Sequence, residues 1–190
     1  MPRSHYVLAL VVLVTSSCGQ NETSNTKAST AKDTRMNPFT APSTLPFHAP
    51  PFDKIKTSDF QPAMEEGMAL QLKEVDAITS STEPATFENT IVAMEKSGQM
   101  LGRASAAFYN LTGSNTNDSL QAIKEEMAPK LAAHGDAISL DPKLFTRIKA
   151  LYDQRSTLGL DPISERLLER YYTRFVRAGA LLDEAAKTQM

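Results

Sequence analysis

From Asp59 onward apolar residues recur at three- and four-residue steps, and no stretch alternates as a strand does, so the pattern predicts helices. The first carries Phe60, Met64, Met68, Leu72, Val75 and Ile78 on one stripe. Asp59 is placed to cap it, which leaves Pro62 in the first turn, where its missing donor costs little. The second begins near Thr86 and aligns Phe87, Ile91, Met94, Leu101 and Phe108, with Gly98 and Ser105 small enough to admit a neighbour; it should stop near Gly113. Asp118 and Gln121 have capping-box spacing for a third helix with Leu120, Ile123, Met127 and Leu131 inward, and Pro129 predicts a kink or split within it. Asp141-Pro142 and Asp161-Pro162 each pair an N-cap with proline at the first helical position, so they start the fourth and fifth helices. The fourth buries Leu144, Ile148, Leu151 and Tyr152 and ends near Gly159. The fifth carries Leu168, Tyr171, Phe175, Ala178, Leu182 and Ala186 and runs uncapped towards Met190, which reads as a helix cut short, with Phe175, Leu181 and Leu182 lacking cover. The expected fold class is all-α, a bundle of about five helices.

Ahead of the helices the pattern changes three times. Arg3 precedes an uncharged apolar run, Tyr6 to Val14, which would rise only about 13 Å as a helix. A bilayer core is roughly 30 Å thick, so the run suits an export signal and not a membrane span. Thr15-Ser16-Ser17 and then Cys18, the only cysteine, follow in the order of a bacterial lipoprotein signal, although that pattern prefers Leu or Val where Thr15 stands. The resemblance implies lipid attachment at Cys18. The alternative is an ordinary secretory signal with Cys18 near the cut. A Gln, Asn, Thr, Ser, Lys and Ala tract reaching Thr34 has too few apolar residues to offset the entropy of ordering, and reads as a disordered tether. Five of the eleven prolines then lie between Pro38 and Pro51, which predicts an extended arm, with Phe39, Phe47 and Phe52 available to pack on the helices. The expected organisation is a signal over 1–17, a tether over 18–36, a Pro-rich arm over 37–56 and a helical domain over 57–190.

Composition narrows the chemistry. The net charge of −2, with both signs interspersed, gives no sign of a nucleic-acid partner, and any membrane contact is expected through the lipid alone. The histidines are His5, His48 and His134, and none has a second histidine four residues away, so H-E-x-x-H is absent. No spacing supplies the three or four convergent ligands of a zinc site, so neither a metal ligand nor a catalytic residue is assigned. Glu65-Glu66 and Glu125-Glu126 read as solvent-facing helix residues sooner than as an acid and base. Tyr171 suits the core better than a channel lining, given its place in the apolar stripe.

Two segments carry a resemblance. Leu45-Pro46-Phe47-His48-Ala49-Pro50-Pro51-Phe52-Asp53-Lys54-Ile55 and Thr86-Phe87-Glu88-Asn89-Thr90-Ile91 look like the opening of a bacterial peptidyl-dipeptidase of the thimet-oligopeptidase family of zinc metallopeptidases. Phe108-Tyr109-Asn110-Leu111, Met127-Ala128-Pro129-Lys130-Leu131, Leu168-Glu169-Arg170-Tyr171-Tyr172 and Phe175-Val176-Arg177-Ala178-Gly179-Ala180 extend it in order, closer to the peptidyl-dipeptidase branch than to the internally cleaving oligopeptidases. The resemblance implies an all-helical enzyme several times longer, whose zinc lies on the floor of a channel admitting short unstructured peptides. It also implies that these helices form part of the channel wall, that the catalytic half is missing, and that this chain binds no zinc and is inactive alone. With the signal it predicts an exported, periplasmic, membrane-tethered lipoprotein. The alternative from another class is a free-standing helical lipoprotein that binds peptides or a partner without catalysis.

Overall fold

The computed structural model describes residues 35–182. The chain divides into two units, Met1–Arg35 and Met36–Met190, and every described helix belongs to the second. Among the described residues six α-helices follow one another: α1 (Thr57–Thr79), α2 (Ala93–Lys96), α3 (Gln99–Ser114), α4 (Asp118–Ser139), α5 (Pro142–Asp153) and α6 (Pro162–Arg177). A π-helical segment, Phe87–Val92, leads into α2, and 3₁₀ turns lie at Pro46–His48 and Arg155–Thr157. Among the described residues there is no strand.

Helix α1 organises the rest because its two halves serve different cores. Phe60, Ala63 and Met64 join Phe39, Met100, Ala104, Ala107, Phe108, Leu120 and Met127 in a first cluster with α3 and α4. Val75 and Ile78 join Ile91, Met94, Leu144, Phe145, Ile148, Leu151, Leu168 and Phe175 in a second cluster with the π segment, α5 and α6. The stripe read from the sequence is present, except that Leu72 is largely exposed where the two cores part. Helices α1 and α3 touch backbone to backbone. A Cβ on Gly67 would lie 2.7 Å from the Leu101 nitrogen and 2.8 Å from its Cα, so only glycine fits there without displacing α3.

A polar seam separates the cores. His134 Nε2 lies 2.8 Å from Gln71 Oε1, and Gln71 Nε2 donates to Ser97 Oγ at 3.3 Å. The Gly98 N–H donates to the Glu74 carboxylate at 2.7 Å. These residues come from α1, the α2–α3 junction and α4, so the seam ties three elements at one level.

The structure corrects several expectations. Asp59 is not the N-cap of α1 but its third residue, whose carboxylate accepts from the Lys56 N–H at 2.7 Å; Pro62 therefore stands inside the helix, beyond the first turn. The single second helix is broken at Ser97–Gly98, where Gly98 has φ +69 and a Cβ would strike the Gln71 side chain. Asn117 caps α4 in place of Asp118, accepting from the Leu120 N–H at 2.9 Å. Pro129 neither splits nor ends α4; it is exposed, so the displaced carbonyl of the preceding turn can tilt towards water. Helix α5 stops at Asp153, six residues before Gly159.

The largest correction concerns α6, which ends cleanly. Gly179 (φ +97) follows the C-cap residue Ala178; its N–H bonds to Val176 O at 3.0 Å, and the Ala180 N–H to Phe175 O at 3.0 Å. This reciprocal pair is a Schellman cap, so the helix is not cut short. Phe175, expected to be stranded, is 2% exposed in the second core, while Leu181 and Leu182 are 58% and 41% exposed. Ala186 lies outside the described residues, as do Cys18, the expected signal and all but the end of the expected tether.

Ahead of α1, Phe39 alone of the three phenylalanines is buried, its ring tilted against that of Phe60 with centroids 5.4 Å apart. Asn37 holds it there, donating to Asp59 O and accepting from the Phe39 N–H, while Arg103 donates to Phe39 O at 3.0 Å. Phe47 and Phe52, expected to pack on the helices, are exposed, and Phe47 and His48 both have left-handed backbones (φ +58 and +55).

Candidate functional site

Helix α6 places Arg166, Arg170, Arg174 and Arg177 at steps of four, four and three residues, within an arc of about 80° at 100° per residue. The opposite side carries Leu168 and Phe175 into the second core, so burial there forces the arginines outward. Together with Glu95, Leu167, Glu169, Tyr171 and Thr173 they line an open groove of about 740 Å³. Arg166 is ion-paired with Glu169 one turn on. Arg170, Arg174 and Arg177 form no ion pair with a described residue. Four guanidiniums against two carboxylates leave the groove positive in a chain of net charge −2.

Tyr171 closes the groove on the α2 side by donating from its hydroxyl to Glu95 Oε1 at 2.6 Å. Burial first, then the adjacent Glu95 carboxylate, pushes the phenol well above its ordinary range, so it is a permanent donor. It packs against the second core, as expected, and also lines the groove. Tyr172 instead stacks on Tyr152 with ring centroids 3.8 Å apart and lies beside Phe145.

The residues that could have offered metal or acid–base chemistry are engaged elsewhere. His48 Nδ1 lies 2.8 Å from Ser43 O in an exposed turn. His134 is 9% exposed, and because its Nε2 faces an amide oxygen, that nitrogen carries the proton, leaving buried Nδ1 with no partner. Burial lowers the pKa of this imidazole, which favours the neutral ring. Among the described residues no group of three or more His, Cys, Asp or Glu could hold a metal ion, so they do not fit zinc. Glu65 and Glu126 share the Lys130 ammonium at 2.5 and 2.9 Å, which holds both carboxyls below their ordinary range and suits a brace between α1 and α4, not a general acid.

Sequence reasoning missed the α6 arginines by treating interspersed charge as plain solvation; their spacing was the available signal. It also missed Arg147 on α5, which donates to Asn89 Oδ1 at 2.9 Å, Glu83 O at 3.0 Å and the Thr90 hydroxyl at 3.3 Å. Asn89 in turn closes a capping box with Thr86 across the π segment. The Thr86–Ile91 motif is thus an architectural joint. A smaller recess of about 240 Å³ lies between residues 38–51 and α3, beside Phe39, His48 and Arg103. Among the described residues no helix is long and apolar enough to cross a membrane.

No family model matches the chain. Over 157 residues, 83% of its length, it is 42% identical to the dipeptidyl carboxypeptidase of Escherichia coli strain K12. Over 154 residues, 81% of its length, it is 40% identical to the dipeptidyl carboxypeptidase of Salmonella typhimurium strain LT2. The matched stretch covers 23% of each of these proteins. The chain is thus homologous to bacterial dipeptidyl carboxypeptidases along most of its own length, and spans about a quarter of theirs.

Proposed function

We propose that the chain is a non-catalytic, channel-wall portion of an exported zinc metallopeptidase that releases dipeptides from the C-termini of short, unstructured peptides. The homology carries this reading, since identity of 42% extends over 157 residues, 83% of the chain, while the stretch amounts to 23% of the relative. The helices supply a scaffold and a positively lined groove, and the described residues offer no ligand cluster for a metal, which supports a non-catalytic role for this stretch. In this reading zinc-dependent hydrolysis requires a catalytic half that these residues do not provide. Cys18 carries the lipid that tethers the protein to a membrane in the periplasm. Cleavage inside peptides, the habit of the oligopeptidase branch, is the weaker version of the same reading.

One observation favours a second reading. Helix α6 is capped and Phe175 lies buried within the chain's own core, as suits a free-standing helical lipoprotein that binds peptides or a partner without catalysis. Activity assays on the purified 190-residue chain address the first reading. Quenched short peptides should stay intact with or without added zinc. Turnover abolished by a chelator would place a working metal site within this chain and overturn the non-catalytic assignment.

A further inference from the structure

The α6 groove has a periodicity that bears on what it holds. At 1.5 Å rise per residue, Arg166, Arg170 and Arg174 follow one another about 6 Å apart along the helix axis, and Arg177 lies about 4.5 Å further on. An extended peptide advances about 3.3 Å per residue, so side chains on one of its edges recur about every 6.6 Å. Acidic side chains at alternate positions of an extended peptide therefore fall nearly in step with the arginines. Guanidinium suits this task, since its planar fork donates to both oxygens of a carboxylate at once.

We propose that the α6 groove binds extended peptides carrying acidic side chains at alternate positions, with Arg170 and Arg174 as the principal anchors and Arg177 extending the row. Arg166 contributes less because Glu169 already occupies it. Glu95 does not close the groove to anions. Its Oε1 accepts the Tyr171 hydroxyl, which holds that carboxylate at the α2 edge of the groove. Leu167 and Thr173, both half-buried, give the peptide backbone a partly apolar floor. The choice of a peptide over another polyanion rests on the proposed peptidase reading; the positive groove itself does not.

Fluorescence anisotropy of a labelled Glu-Ala-Glu-Ala-Glu peptide with the full 190-residue chain tests the proposal, and requires no catalysis. The peptide should bind at low ionic strength and be released as salt rises, because the contacts are exposed ion pairs. Arg170→Gln with Arg174→Gln should weaken binding by about tenfold, as expected for two charge-assisted contacts. Both arginines are exposed, so the helical circular dichroism of the variant should match the parent. A Gln-Ala-Gln-Ala-Gln peptide should not bind. Equal binding of that neutral peptide, undiminished binding by the double variant, or no binding at all would overturn the proposal. Tripolyphosphate displacing the peptide at equal or lower concentration would show a general anion site and overturn the peptide assignment. None of these results bears on whether the chain belongs to a peptidase.

Discussion

Gly67→Ala should destabilise this protein although it replaces a poor helix former by the best one. In an isolated helix the exchange gains about 1 kcal/mol. Here the added methyl would lie 2.7, 2.8 and 3.0 Å from the Leu101 N, Cα and Cβ, all closer than atoms comfortably approach. Two of the three are backbone atoms, so no rotamer change relieves the clash and α3 must move away from α1. Overpacking of this kind costs about 1–3 kcal/mol, and more when a helix pair separates. Offset by the helix gain of about 1 kcal/mol, this leaves a net loss of up to about 2 kcal/mol, a fall in Tm of up to about 8 °C at this chain length. Gly102→Ala in α3 and Gly135→Ala in α4 are internal controls, because nothing lies within 4 Å of either new Cβ. Each should gain up to about 1 kcal/mol and melt a few degrees higher. Thermal and urea denaturation followed by circular dichroism read all three. If Gly67→Ala melts at or above the parent, alongside the controls, the close α1–α3 approach is wrong.

Three further expectations follow from particular residues. His134 has a native pKa below its ordinary 6.5, so the unfolded chain takes up the proton first; stability should be full above about pH 6.5, fall below it, and level off beneath the native value. Urea midpoints between about pH 8 and 5 should show this slope in the parent and a flatter one in His134→Asn, and equal slopes would assign it to other groups. Phe175→Ala should cost about 3–5 kcal/mol, because the ring is 2% exposed; a loss below about 1 kcal/mol in urea unfolding would mean that the ring lacks cover after all. Cys18→Ser should abolish incorporation of labelled fatty acid and release the protein from membranes, whereas an unlabelled parent would indicate a plain secretory signal.

Local signals in the sequence were legible where local chemistry decides. Asp141 and Asp161 accept from the N–H groups of Leu144 and of Ile163 and Ser164, as their Asp-Pro pairs predict. The stripes of α1, α4 and α5 were legible for the same reason. The break at Gly98 was not, because the apolar spacing continues across it and the groups that meet Gly98, the Glu74 carboxylate accepting its N–H and the Gln71 side chain filling the place of a Cβ, come from another helix. The end of α6 was overlooked although Gly179 stands in the sequence, since Ala178, Leu182 and Ala186 prolong the pattern beyond the cap. Arg147 gains its meaning only from partners 57 to 66 residues away, a separation no periodicity reports. The α6 arginines were visible as spacing, but their common groove depends on α2 delivering Glu95 to Tyr171.

The central claim is that these helices serve as the wall of a peptidyl-dipeptidase, and exchange into a relative tests it most directly. In the Escherichia coli dipeptidyl carboxypeptidase, the matched stretch would be replaced by the 157 aligned residues of this chain, with deletion of the stretch as the comparison. The account predicts that the chimera folds and releases C-terminal dipeptides from a short peptide, with kcat/KM within about tenfold of the parent, while the deletion is inactive. A chimera that is soluble and as helical as the parent and yet releases no dipeptide would contradict it.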